Sequence, residues 1–165
     1  MKRDEVMEMM REKVDAAIAR FASYGISATR EEFASDLRLN PVKFEKANYI
    51  NATLVVRTPE TEEEDGAEYR IGVGAEIKYG EVVEAEFTES VADFDRRVEE
   101  ALEALAGSED PASVIRELDR AAELEYEALA REIEEKAKKM RPLYIIGALL
   151  FIVGLVILFI IATRA

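Results

Sequence analysis

Apolar positions recur along this chain with two periods, and in one stretch with no period at all. Val6, Met10, Val14, Ala17, Ile18 and Phe21 follow one another at spacings of three and four, which predicts a helix over 4–24 with one buried stripe. Asp4 and Glu5 suit its positive start, and Gly25 suits the position after its end. The methionine-rich opening, Met7, Met9 and Met10, suits core packing because Met10 lies on the stripe. Thr29-Arg-Glu-Glu32 has the form of a capping box and predicts a short second helix over 30–37, closed by Asn40-Pro41.

The period then changes to two. Ile50, Ala52, Leu54 and Val56 alternate within 48–58, and Tyr69, Ile71, Val73, Ala75 and Ile77 within 68–78. Tyr79-Gly80 predicts a two-residue hairpin turn, with Val83, Ala85 and Phe87 as a third strand. Such alternation belongs to an antiparallel sheet with one packed face. Ser90 is placed to cap the next helix, whose inner side carries Val91, Phe94, Val98, Ala101, Leu102 and Leu105, and Gly107 ends it. Asp110-Pro111 opens the last amphipathic helix, with a stripe of Ile115, Leu118, Ala122, Tyr126, Leu129, Ile133, Ala137 and Met140. Leu118, Ala122 and Tyr126 are expected to dock on the domain, widened by Leu124. The later half is expected to stand out as a stalk, with Ile133 at a seam or docking face.

Residues 143–162 contain no charge, amide or proline. As a helix this run is about 30 Å long, the thickness of a bilayer's hydrocarbon core. Its place near the C-terminus separates it from a signal peptide. Lys136, Lys138, Lys139 and Arg141 crowd its entry and only Arg164 lies beyond, so the positive-inside rule places the N-terminal domain in the cytoplasm. Gly147 and Gly154 stand seven apart, nearly on one face, where small residues permit a second helix to approach.

The expected fold class is therefore α+β. A small three-stranded antiparallel sheet is flanked by helices in the order α-α-β-β-β-α-α and followed by one C-terminal transmembrane helix. Residues 1–110 form the cytosolic domain, 111–141 a long amphipathic stalk with a basic collar, and 142–165 the anchor. The α-β-β-β-α middle resembles double-stranded-RNA-binding domains in element order. Those domains carry basic residues where their last helix begins, whereas this chain reads TESVADFDRR there, so the resemblance implies topology alone.

Charge sharpens this picture. Residues 1–135 hold 17 Lys and Arg against 35 Asp and Glu, a net of −18, while 136–165 hold five basic and no acidic residues. Such a domain repels phosphates, which excludes nucleic acid as a partner and argues against a DNA-reading role for 25–38. The collar is drawn to anionic lipid. Cys, His, Trp and Gln are absent, which removes disulfides, thiolate chemistry and imidazole catalysis. Glu-rich, Gln-poor composition is thermophile-like.

Candidate chemistry is sparse. The acidic loop 60–68 lacks the alternating ligand spacing of a calcium loop and reads as a solvated charge run. Gly72-Val-Gly74 lacks a third glycine at Ile77, so it reads as room for a bulge, a crossing backbone or a partner. Asn51-Ala-Thr53 matches a glycosylation sequon that a cytosolic strand would not expose. Glu84 and Glu86 are paired carboxylates without a pocket. No catalytic residue, metal ligand or cofactor is nominated. The expected function is a tail-anchored, single-pass membrane adaptor, scaffold or accessory subunit of a membrane complex. Its partners would be the bilayer and another protein, or a second copy. The alternative is a membrane-tethered small-ligand or metal sensor, or an enzyme, using carboxylates.

Overall fold

The computed structural model describes residues 1–35, 38–39, 46–58 and 66–164, and for 38, 39, 46, 148, 149 and 154–164 the backbone alone. Helix α1 (Arg3–Ser23) is followed by strands β1 (Ser27–Ala34), β2 (Arg38–Leu39), β3 (Lys46–Arg57), β4 (Glu68–Lys78) and β5 (Glu81–Val82), then helices α2 (Glu84–Ala106) and α3 (Pro111–Arg164). The sheet is antiparallel and runs β1-β3-β4-β5, with β2 paired to the start of β3.

α1 ends as its sequence indicates. Gly25 takes φ +73°, and the Gly25 and Ile26 amides donate to the Ala22 and Phe21 carbonyls, which closes a Schellman motif. Tyr79 and Gly80 both have positive φ, the requirement of a type I′ turn, so the hairpin lies where the alternation places it. Asp110 Oδ1 accepts from the Ser113 amide at 3.1 Å and caps α3 ahead of Pro111.

Strand parity decides what is buried. Ile50, Ala52, Leu54 and Val56 of β3 face the core beside Ala75, Val73, Ile71 and Tyr69 of β4, their ladder partners. α1 covers this face over β1 and β3 with Val6, Met10, Val14, Ala17 and Phe21. α2 covers it over β4 with Phe87, Phe94, Val98, Ala101, Leu102 and Leu105. Lys13–Asp95 and Arg20–Glu99 tie the two helices together at 2.8 and 2.6 Å. α3 adds Ile115, which is fully buried, and packs Val114, Leu118 and Ala122 against the cluster.

Three expectations fail here. Residues 30–34 of the expected helix lie in strand β1, whose residues 27–34 pair one by one with 57–50, and Asp36 lies outside the described residues. A capping box is worth about 1 kcal/mol, and a full ladder along β3 outweighs it. Leu37 lies outside the described residues. The third strand over 83–87 is replaced by the two-residue β5, with α2 beginning at Glu84. Phe87 belongs to the helical row Phe87, Val91, Phe94, Val98, whose spacing of four, three and four extends the helix a turn earlier. The sheet therefore has four strands in its main path rather than three, and one helix rather than two precedes it.

α3 continues through Pro142 as one helix of 54 residues, although the proline removes the amide that would reach the Lys138 carbonyl. Among the described residues no helix is long and apolar enough to cross a membrane. Much of the expected span, Gly154 included, lies outside the residues whose side chains are described.

Gly74 and Gly72 predict opposite outcomes. A Cβ on Gly74 would lie 3.3 Å from the Ile50 carbonyl oxygen, whereas one on Gly72 meets only Thr53 Oγ1 at 3.7 Å. Gly74→Val should cost about 1–3 kcal/mol through overpacking, and Gly72→Val should be neutral or stabilising. Phe94→Ala should cost about 3–5 kcal/mol. Urea unfolding of the three variants checks the ranking.

Candidate functional site

The sheet face turned away from the core is built from the odd positions of β1 and β3 and the even positions of β4. Its central feature is a ring of two arginines and two glutamates. Arg57 Nε lies 2.7 Å from Glu68 Oε2, Arg70 Nε lies 2.6 Å from Glu68 Oε1, and Arg70 Nη1 lies 2.8 Å from Glu31 Oε2. Arg57 Nη2 closes the ring to Glu31 at 3.5 Å. Val55, on the same face, is fully buried. The ring is charge-balanced, so it serves first as a lid whose aliphatic stems cover an apolar side chain. Hydrogen bonds from Arg57, then Arg70, hold the Glu68 carboxyl below its ordinary value of 4.5.

Beside the ring lies a shallow cavity of about 240 Å³ lined by Tyr49, Asn51, Gly74, Glu76 and Glu86. Tyr49 and Glu76 are ladder partners, as are Asn51 and Gly74, so parity alone gathers these four. Glu76 is 5% exposed, and Lys78 Nζ stands 3.3 Å from its Oε1, an ion-pair contact without hydrogen-bond geometry. Asn51 Oδ1 is buried with no donor. The Gly74 amide, on the open side of β4, donates to Ser90 Oγ at 2.8 Å. Ser90 is thus no cap but a mid-helix hydroxyl that fastens α2 to the strand. The cavity presents acceptors, and suits a water or a small donor. Asn51, the sequon residue, is partly buried on β3.

The third surface is the exposed length of α3. Arg97 Nη2 reaches Glu125 Oε2 at 2.8 Å, while its Nε holds Asp93 at 2.8 Å. Burial opposes the Asp93 charge, yet hydrogen bonds from Arg96 and Arg97 outweigh it and lower its pKa. Beyond this clasp the stripe emerges. Tyr126 is 74% and Leu124 61% exposed, so neither docks as expected. Leu129 and Ile133 follow on an exposed apolar face of the helix that reaches Arg141. The polar faces of this segment satisfy themselves through Arg131–Glu127, Lys136–Glu132 and Lys138–Glu134, all four residues apart. Two of the four collar cations are thereby matched with acids, while Lys139 and Arg141 are exposed. Gly147 has open space around it, and Gly154 lies outside the described side chains.

The acidic loop falls largely on 59–65, outside the described residues. Among the described residues no group of three or more acidic side chains is arranged to hold a metal. The ring, the Asn51–Glu76 cavity and the Arg97 clasp were all missed by sequence reasoning. Their signal was the alternation on the polar side of β3 and β4, which places Asn51, Glu68, Arg70 and Glu76 on one face.

The lowered Glu68 value has a signed consequence. Its stabilising contribution is complete above the ordinary carboxylate range and is lost as pH falls through the lowered value. Melting temperatures measured from pH 7 down to 3 should drop less in Glu68→Gln than in the unaltered chain, the curves converging at low pH. Comparison with protein-family models, with curated proteins and with solved structures finds no match for this chain.

Proposed function

We propose that this protein is a membrane-tethered adaptor: an acidic α+β domain carried on a helical stalk and anchored by the apolar run at 143–162. The observation that carries the reading is the unbroken backbone of α3. It begins in the core at Ile115, passes the exposed stripe and collar, and enters the apolar run without a linker. The helix between Ala122, where docking ends, and Arg141 is about 28 Å long at ~1.5 Å per residue, which holds the domain away from a lipid surface. The net of −18 in 1–135 opposes contact with anionic lipid, while the collar favours it. By the positive-inside rule the domain lies on the cytoplasmic side. The stripe of Tyr126, Leu129 and Ile133 faces water and is the surface offered to a protein partner.

A second reading, a small-ligand sensor, draws on the Asn51–Glu76 cavity, where the buried Asn51 Oδ1 has no hydrogen-bond donor. A melting-temperature rise with small primary amines, lost in Asn51→Ala, would favour it.

Membrane fractionation and protease access test the main reading. The full chain should pellet with membranes, resist carbonate extraction, and have its domain protected in sealed right-side-out vesicles. Neutralising Lys136, Lys138, Lys139 and Arg141 together should expose a fraction of the domain to external protease. A chain released by carbonate, or a domain digested from outside in the unaltered protein, contradicts the proposal.

A further inference from the structure

Hydrogen-bond parity shows which side of each strand is spoken for. The Ser35 amide donates to the Tyr49 carbonyl and continues the β1–β3 register, so the odd residues of β1 bond to β3. The amides and carbonyls of Ala28, Arg30, Glu32 and Ala34 therefore point outward. On the other margin the same parity turns the even residues of β4 outward, and its C-terminal half is met there: Gly74 donates to Ser90 Oγ, and the Glu76 carbonyl accepts from the Val83 amide. Among the described residues no strand pairs with the outer edge of β1. It is eight residues long, without proline or bulge in its register, which is the form of edge that recruits another strand.

We propose that β1 pairs antiparallel with β1 of a second copy, joining two sheets into one. The charge pattern selects both occupant and register. Outward-facing residues must meet outward-facing residues, so only shifts of two are allowed. One register sets Arg30 against Arg30, and another sets Glu32 against Glu32. The register between them sets Arg30 of each copy opposite Glu32 of the other, twice by symmetry, and Ala28 opposite Ala34. It brings the two Glu31 side chains together on the opposite face. Each is already held by Arg57 and Arg70, so no bare charge repulsion results. Within one chain Arg30 contacts Asp15, Glu32 contacts Arg11, and Arg30 Nε lies 3.1 Å from Glu32 Oε1, so the facing copies would extend an existing charge network along the edge. Pairing through this edge does not depend on membrane anchoring.

The chain has no native cysteine, so single thiols report without background. In the proposed register residue 31 lies on the two-fold axis in a pair with Cα atoms about 4.5 Å apart, within disulfide reach. Single Cys substitutions at 29, 30, 31 and 32 in the full chain in detergent should give a sharp disulfide-dimer maximum at Glu31→Cys. In Ala28→Pro, the lost amide faces outward and removes one intermolecular hydrogen bond per copy. The dimer Kd should weaken about tenfold or more at unchanged circular dichroism. Light scattering should give a dimeric protein mass for the unaltered chain. A monomer at micromolar concentration, a crosslinking maximum at 30 or 32, a flat profile, or a dimer indifferent to Ala28→Pro each overturns the proposal.

Discussion

The long helix is fastened to the domain by very little. Among the described residues of α3 only Ile115 is fully buried, with Val114, Leu118 and Ala122 beside it and the Arg97–Glu125 pair as its last described tie to α2. Everything C-terminal to that short patch projects from it. Burial of a single isoleucine contributes only about 2 kcal/mol, so the clasp around Arg97 matters out of proportion to its size. Arg97 is largely shielded, it bridges α2 to α3, and Tyr69 beneath it has its pKa raised by burial. The direction of the projecting helix is set where α2, α3 and β4 meet.

That junction exists because the two margins of the sheet are treated differently. Parity leaves outward-pointing backbone on both β1 and β4. On β4, α2 lies close enough for Ser90 to satisfy Gly74, and the chain turns at Val83 to satisfy Glu76. Position 74 carries no side chain because a Cβ there would crowd β3, 3.3 Å from the Ile50 carbonyl oxygen and 3.4 Å from Asn51 Cβ. On β1 the outward backbone is flanked by Arg30 and Glu32, which pair with Asp15 and Arg11 of α1. The C-terminal half of one margin is closed by α2 and β5, and the other margin is left charged and open among the described residues.

Where a pattern was long and had one reading, the sequence was legible. The stripe of α1, its glycine stop, the two central strands, the Tyr79-Gly80 turn and the Asp110-Pro111 start all lie where periodicity and turn chemistry place them. The failures share a cause. Residues 29–32 carry a helix-start signal of local origin, and 83–87 alternate as a strand would while Phe87 and Val91 already keep helical spacing. In the first, a pairing partner far along the chain decided the outcome, and in the second the longer helical row that continues to Val98 did. The ring of Glu31, Arg57, Glu68 and Arg70 draws on three strands, so its members are up to 39 positions apart and no local window unites them. The stalk was half legible: its docked part ends at Ala122 rather than Tyr126, because the Arg97–Glu125 pair takes the place of further apolar contact.

The central claim is that α3 runs as one stiff helix from the core at Ile115 to the apolar run. Spin labels at Glu117→Cys and Lys138→Cys, in the full chain reconstituted in lipid, measure this directly by double electron–electron resonance. The 21 intervening steps of a continuous helix give about 32 Å between backbone positions. The account predicts one narrow distribution near that value, broadened only by label rotamers. A broad distribution, or a maximum well below it, would mean that the helix bends or breaks between domain and collar, and would contradict the account.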